Sequence, residues 1–276
     1  MKKETKRIAV TGPHGIMGNK LVMSYQCIPI YSDITKFEDL NKEINDIKPN
    51  VLIHCAAVND VDYCESNFKK TLDVNIQGTF NAIESMPENS LFIYISTIHI
   101  FSGGTDFPKG YSEDDNPSPI NNYGFSKLGG ELATKTGKCR TVIIRCSNLI
   151  NYIWAEPVIS KLKKNESVFY ALSESRSFYH TDHAIDSILY IINHLDKYPD
   201  LYLVNIAGKE IFSYYEFWVR LKNYLNLLGE VKPYFGRWKN KAARPMMGGL
   251  DISRAKEIGI PIHTLEEGFE LIRQGI

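Results

Sequence analysis

Hydrophobic residues follow two rhythms along the chain. Ile8-Ala9-Val10, Val51-Leu52-Ile53, Leu91-Phe92-Ile93-Tyr94-Ile95 and Val142-Ile143-Ile144 are nearly continuous apolar runs, as expected of strands covered on both faces. Between them, Ile16 to Tyr25, Phe37 to Ile47 and roughly Phe68 to Ile83 read as helices, with Pro49 and Pro87 marking their ends. The alternation predicts βα units feeding a parallel, doubly wound α/β sheet over the first 150 residues. Beyond that point the rhythm loosens. Trp154, a helix-like Val158 to Lys164, a long helix from Thr181 to His194 and the aromatic-rich Phe212 to Leu227 predict a second, smaller lobe at the strands' carboxyl ends.

Composition narrows the function classes. With 43% hydrophobic and 23% charged residues among 276, the chain has globular composition. Lysine plus arginine is 32 and aspartate plus glutamate is 32, so no global basic field holds a phosphate polymer, and nucleic acid is not an expected partner. The five cysteines form no CxxC pair and are odd in number, which fits a reducing cytosol better than a disulfide framework. The basic start Met1 to Arg7 leads into too short an apolar run for a signal peptide, and no run approaches the roughly 18 to 20 residues that span a bilayer. The expectation is a cytoplasmic protein without a membrane partner.

Three segments carry chemistry. Thr11-Gly12-Pro13-His14-Gly15-Ile16-Met17-Gly18 follows the first strand and opens the first helix. Glycines there let the backbone turn and approach a pyrophosphate, which the free N–H groups and positive helix end stabilise. Asp33, after Ile28 to Ser32, is placed either to hold a ribose hydroxyl or to bond the adenine, while Ser32 and Lys36 leave room for a 2′-phosphate. NAD(H) and NADP(H) therefore both stay open as cofactor. The second segment, Tyr123-Gly124-Phe125-Ser126-Lys127, puts a phenol and an ammonium on one helical face. Reducing a ketone needs a proton for the forming alkoxide, and bringing a phenol from about 10 to about 7 needs roughly 4 kcal/mol of preferential phenolate stabilisation. An ammonium and a positive nicotinamide can supply it. The third, Ser96-Thr97, ends the fourth apolar run, where a hydroxyl can polarise a substrate carbonyl.

Together these residues resemble the extended short-chain dehydrogenase/reductase family, and within it the dTDP-4-dehydrorhamnose reductases, from Lys6 to about Ile150. His54 to Ala57, Val61 to Glu65, Asn75-Ile76-Gln77-Gly78-Thr79 and the stretch from Tyr111 to Glu131 follow that family's pattern. The resemblance implies a Rossmann domain over 1–150, to which segments near 168–208 return, and a mainly substrate-binding lobe over 151–276. It implies Thr97, Tyr123 and Lys127 as a catalytic triad, with Thr97 positioning the keto oxygen, Tyr123 donating the proton, and Lys127 holding the nicotinamide ribose. The cofactor would lie over Gly12, His14, Gly15, Ile16, Met17 and Gly18, with Asp33 and Ile34 near the adenine. Cys55, Ala56, Ala57, Asn75 and Ser96 would complete its surroundings. Thr97, Ile98, His99, Tyr123, Asn148, Arg176 and Arg244 would face a nucleotide-sugar substrate, the two arginines toward its diphosphate.

One departure matters. The 4-ketoreductases commonly read Ser-Thr-Asp-Tyr where this chain reads Ser96-Thr97-Ile98-His99. A hydrocarbon side chain exchanges no proton, so Ile98 disfavours 4,6-dehydration and 3,5-epimerisation. Reduction of a 4-keto sugar remains, with a nucleotide-sugar 4-epimerase or a non-catalytic NADP-binding regulatory subunit as alternatives. His180 and His183 lack further ligands at metal spacing, so no metal is expected. No GxSxG elbow is present, and a homodimer stays open.

Overall fold

The computed structural model describes residues 6–104, 110–199, 202–235 and 242–276. Six parallel strands form the central sheet: β1 (Ile8–Thr11), β2 (Ile28–Ile30), β3 (Val51–His54), β4 (Leu91–Thr97), β5 (Arg140–Cys146) and β6 (Leu203–Ile206). Their order is β2-β1-β3-β4-β5-β6. The register runs Thr11↔His54 and His54↔Tyr94, then Tyr94↔Ile143 and Ile143↔Leu203, so the carboxyl ends of the strands line up along one edge. The chain turns one way after β1 and the other way after β3, which opens a crevice between their following loops.

Helices cover both faces, which is why the strands are apolar throughout. Helix α1 (Ile16–Tyr25) buries Leu21 in one core cluster, and α5 (Thr181–His194) buries Ile185, Ile188, Ile191 and Ile192 in the same cluster. On the other face, α2 (Phe37–Ile47) buries Leu40 and Ile44 beside Ala82 and Ile83. The run expected as one helix is instead three helical pieces, Phe68–Leu72, a π turn at Asp73–Gln77, and Gly78–Glu84. On this π turn the Asn75 side-chain amide accepts from the Val58 N–H and donates to the Val58 carbonyl and the Ser126 hydroxyl, the kind of local demand that π turns serve.

After β5 the chain leaves the sheet and returns for β6, which is preceded by α5. The helix expected from Val158 begins at Tyr152, because Asn151 accepts from the Trp154 N–H at 2.9 Å and caps α4 (Tyr152–Lys163). Helix α6 (Tyr214–Tyr224) and α7 (Leu265–Gln274) each start with a capping box, Ser213 with Glu216 and Thr264 with Glu267. With α4 they enclose a third core of Phe178, Phe217, Trp218 and Phe269. Burying Phe217 completely contributes about 2–3 kcal/mol. Among the described residues no helix is long and apolar enough to cross a membrane. The helix α3 (Asn122–Ala133) lies beside β4, its Lys127 carbonyl accepting from the Tyr94 hydroxyl.

Candidate active site

The glycine segment forms a backbone cradle at the crevice. Gly12 sits at φ +68°, and a Cβ there would lie 2.8 Å from the Ala56 nitrogen. A Cβ on Gly18 would lie 2.1 Å from the Gly12 carbonyl oxygen, so α1 packs directly on the turn. Gly15 differs: an added Cβ would stand 3.4 Å from the Gly12 oxygen and otherwise face the cavity. No side chain caps α1 and no acidic residue occupies its first turn, which leaves its N–H groups for an anion. This backbone fits a dinucleotide's diphosphate.

Behind the cradle, the His54 ring bridges Thr11 and Thr79 at 2.9 and 3.1 Å. The Thr79 hydroxyl donates to the Asn75 carbonyl, so it accepts from His54 Nε2–H, and His54 Nδ1 accepts from Thr11. Thr11 Oγ1 in turn accepts from the Ala56 N–H. Burial and then Lys127 hold His54 down at about 3, so this link between β1, β3 and the 68–84 run stays neutral.

Two elements bring the expected catalytic side chains together. Thr97 closes β4, and Asn121 caps α3 by accepting from the Gly124 N–H at 2.7 Å. A Cβ on Gly124 would lie 2.0 Å from the His99 carbonyl oxygen, so only glycine lets α3 close on the end of β4. Tyr123 thereby joins Thr97 on the floor of one cavity. Lys127 is buried with its ammonium 4.2 Å from the centre of the Tyr94 ring. In the protein itself burial pushes the Tyr123 phenol up to about 12, against a lowering by Thr97. Burial likewise brings Lys127 down to about 8, against a raising by Glu131. In the protein alone burial thus outweighs Thr97; the phenolate stabilisation expected from the sequence includes a positive nicotinamide, which a bound cofactor would supply.

His99 is fixed by the same cap. Since Asn121 Oδ1 accepts from Gly124 and its Nδ2 donates to the Ala243 carbonyl, His99 Nδ1 is the acceptor for that amide. Burial, Arg176 and Arg244 hold His99 down at about 3, so it is a neutral ring whose proton sits on Nε2. It meets the Tyr123 ring edge-on at 5.4 Å. Arg176 is buried in a gap that a Cβ on Gly248 would fill, lies over the Tyr214 ring and pairs with Glu174 at 3.7 Å. Arg244 is tied to Asp62 at 3.0 Å.

These groups line one cavity of about 590 Å³. Gly12, Gly15, Ile16, Met17 and Gly18 form one wall, and Cys55, Ala56 and Ala57 another. Ser96, Thr97, Ile98, His99, Tyr123 and Lys127 form the floor, with Asn148, Arg176 and Arg244 beyond. Four expected residues lie elsewhere. Asn75 is buried, holding the loop after β3 to α3, and Ile34 is buried in the core against Gly78. Asp33 is exposed and folded into a turn with Thr35, whose N–H and hydroxyl it accepts. His14 faces Tyr31, with ring centres 5.9 Å apart, and lines a neighbouring hollow of about 450 Å³. Tyr214 and Trp154, read from the sequence as packing aromatics, also line the main cavity, and Tyr214 donates to Asn148 Oδ1 at 3.0 Å. Asn59, Ser147 and Thr181 join them without any sequence signal.

A doubly wound sheet with a glycine cradle at its crevice and Thr97, Tyr123 and Lys127 on one floor is the architecture of an extended short-chain dehydrogenase/reductase. Residues 6–274 match the family described as RmlD substrate binding domain, and the chain belongs to it. A crystal structure of dTDP-4-dehydrorhamnose reductase from Bacillus anthracis in complex with NADP superposes with a TM-score of 0.89 at 26% identity, covering 99% of this chain and 100% of that one. The dTDP-4-dehydrorhamnose reductase of Burkholderia thailandensis is 35% identical over 135 residues, 46% of this chain and 45% of that protein. Methionine adenosyltransferase 2 subunit beta of Rattus norvegicus is 31% identical over 157 residues, 51% of this chain and 46% of that protein. The chain thus spans about half the length of these two curated relatives.

Proposed function

We propose that the chain is an NAD(P)H-dependent reductase that converts the 4-keto group of a nucleotide-activated deoxysugar into a hydroxyl. The observation that carries this reading is one cavity with the glycine cradle at one side, Thr97, Tyr123 and Lys127 on its floor, and Arg176 and Arg244 beyond. Either NADP(H) or NAD(H) suits the cradle, and the bound cofactor supplies the hydride and, once oxidised, a positive nicotinamide. Lys127 holds the nicotinamide ribose. Thr97 orients the keto oxygen and Tyr123 gives it the proton, while Arg176 grips the substrate diphosphate as a planar cation suits phosphate oxygens. Ile98 is buried and aliphatic, so no group at that position removes a C–H proton, which favours reduction over dehydration. The segments beyond residue 150 that reach the cavity form its substrate side, and β6 with α5 belongs to the cofactor side. Five free thiols support a cytoplasmic setting.

The test is oxidation of NADPH and NADH in the presence of nucleotide-linked 4-keto sugars, beside Tyr123→Phe. Loss of the proton donor lowers kcat by about 10²–10⁴-fold and leaves the cofactor Kd unchanged. Equal turnover by the variant would refute the role of Tyr123. The likeness to methionine adenosyltransferase 2 subunit beta favours a second reading, a binding subunit that keeps the cofactor site, and cofactor binding without turnover of any such sugar would select it.

A further inference from the structure

Lys127 is a cation taken almost wholly out of water, and its surroundings on other elements are soft. Tyr94 from β4 presents its ring face, and Cys55 after β3 and Cys146 at the end of β5 are neutral thiols pushed up to about 12, chiefly by burial. His54 is neutral, and Tyr123 on the same helix is a phenol. Among the described residues one carboxylate acts on this ammonium, Glu131, one helical turn further along α3 and itself buried.

Glu131 is held rigidly. Arg145 on β5 engages both its oxygens, Nε to Oε1 at 3.0 Å and Nη2 to Oε2 at 2.9 Å, and the Ser96 hydroxyl donates to Oε1 at 2.5 Å. Arg145 Nη1 is spent on the Glu113 carbonyl, so the guanidinium has no freedom to swing away. The carboxylate therefore joins β4, β5 and α3, bonded to Arg145 and Ser96 and one helical turn from the buried Lys127. An isolated buried cation bears a desolvation cost of several kcal/mol, and a buried carboxylate one turn away offsets part of that cost for Lys127.

We propose that Glu131 is a positioning residue of this site: clamped by Arg145 and Ser96, it is the buried counter-ion that keeps the Lys127 ammonium charged and in place under the cofactor. This deepens the reductase reading and rests on it. The clamp also gives Ser96 a task that its place in the cavity floor does not, since its hydroxyl is committed to Glu131. Arg145 orients the carboxylate, and Glu131 sets the charge of the lysine.

The test is the pH dependence of NADPH affinity, read by quenching or transfer of protein fluorescence, in the wild type, Glu131→Gln, and the double variant Glu131→Gln with Arg145→Gln. The double variant removes both members of the ion pair, so it folds without an orphaned buried arginine. With burial holding Lys127 down to about 8, the wild type loses affinity as pH rises through that value. Both variants are expected to lose it about one pH unit lower, because removing a buried opposite charge one helical turn away disfavours the charged lysine. Restored affinity at acid pH marks a charge effect that a merely structural role would not produce. A wild-type pH profile in the double variant would overturn the proposal, showing that Glu131 serves only to balance Arg145. A wild type that binds NADPH at no pH would overturn the dinucleotide reading itself, and this one with it.

Discussion

Two glycines in the same loop separate folding from cofactor binding. At Gly18, an alanine Cβ would stand 2.1 Å from the Gly12 oxygen, 2.8 Å from its carbonyl carbon and 3.2 Å from the Pro13 Cα. All three are backbone atoms, so no side chain can rotate away, and α1 must retreat from the turn by about an ångström. Such overpacking costs about 1–3 kcal/mol, and the better helix propensity of alanine returns about 1 kcal/mol. The expected net loss of up to about 2 kcal/mol lowers Tm by up to about 8 °C for a domain of this size. At Gly15 the new Cβ meets only ordinary contact at 3.4 Å, and its φ of −74° suits any residue. A poorer N-cap costs about 0.5–1 kcal/mol and a stiffer unfolded chain offsets about as much, so Tm should stay nearly unchanged. The methyl group would nonetheless stand where a diphosphate must approach the N–H groups of α1. Losing one charge-assisted hydrogen bond, about 1.5–3 kcal/mol, weakens NADPH binding about 10–100-fold. Thermal unfolding and NADPH fluorescence titration decide the matter. If Gly15→Ala bound NADPH as tightly as the wild type, the cofactor would not lie over this loop and the assignment of the cradle would fail.

Other expectations follow from single residues. Arg176→Met should raise the KM for a nucleotide sugar about 10–100-fold with an unchanged cofactor Kd, since it removes a charge-assisted contact to the diphosphate; an unchanged KM would show that Arg176 only supports Tyr214. Stability should fall as the solution is acidified below about 6.5, because His54 and His99 are neutral in the fold down to about 3 and protonate earlier in the unfolded chain. The slope is up to about 1.4 kcal/mol per pH unit for each ring. Urea unfolding at pH 7 and pH 5 measures it, and His54→Gln should flatten the dependence; a variant with the wild-type slope would remove His54 from the account.

The apolar runs announced β1, β3, β4 and β5 because strands covered on both faces have no polar alternation to obscure them. The glycine segment and the Asn121 to Lys127 segment were legible for a related reason: each is contiguous, so local geometry alone brings its groups together. Asn75 shows the limit. Its motif reads like a site, yet the amide is committed to Val58 and Ser126, partners that only the tertiary fold supplies. Asp33 lies in the expected stretch after β2, but the hydroxyl of Thr35 captures its carboxylate locally. Tyr214 begins a helix that buries aromatics, and nothing in that pattern says that one hydroxyl reaches Asn148 across the cavity. The upward shift of Tyr123 is a matter of burial, which no spacing encodes.

A net charge of zero conceals the field where it counts. Among the described residues, no aspartate or glutamate lines the main cavity, while Lys127, Arg176 and Arg244 do. The same composition that argues against a phosphate polymer thus leaves three cations on one cavity, where the proposed reading puts one diphosphate on the cradle and one on the arginines. The two arginines hold that charge under different conditions. Arg176 has a side chain 2% exposed, and Arg244 is 22% exposed beside Asp62. At about 0.1 M ionic strength the screening length is about 10 Å, and at 1 M about 3 Å, but only charges in contact with solvent feel the difference fully. Raising the salt should therefore increase the KM for a nucleotide sugar through Arg244. In Arg244→Leu that salt dependence should disappear, while in Arg176→Met it should persist on top of a weaker affinity. The reverse pattern, salt sensitivity lost with Arg176 and kept without Arg244, would mean that the substrate diphosphate enters from the other side of the cavity.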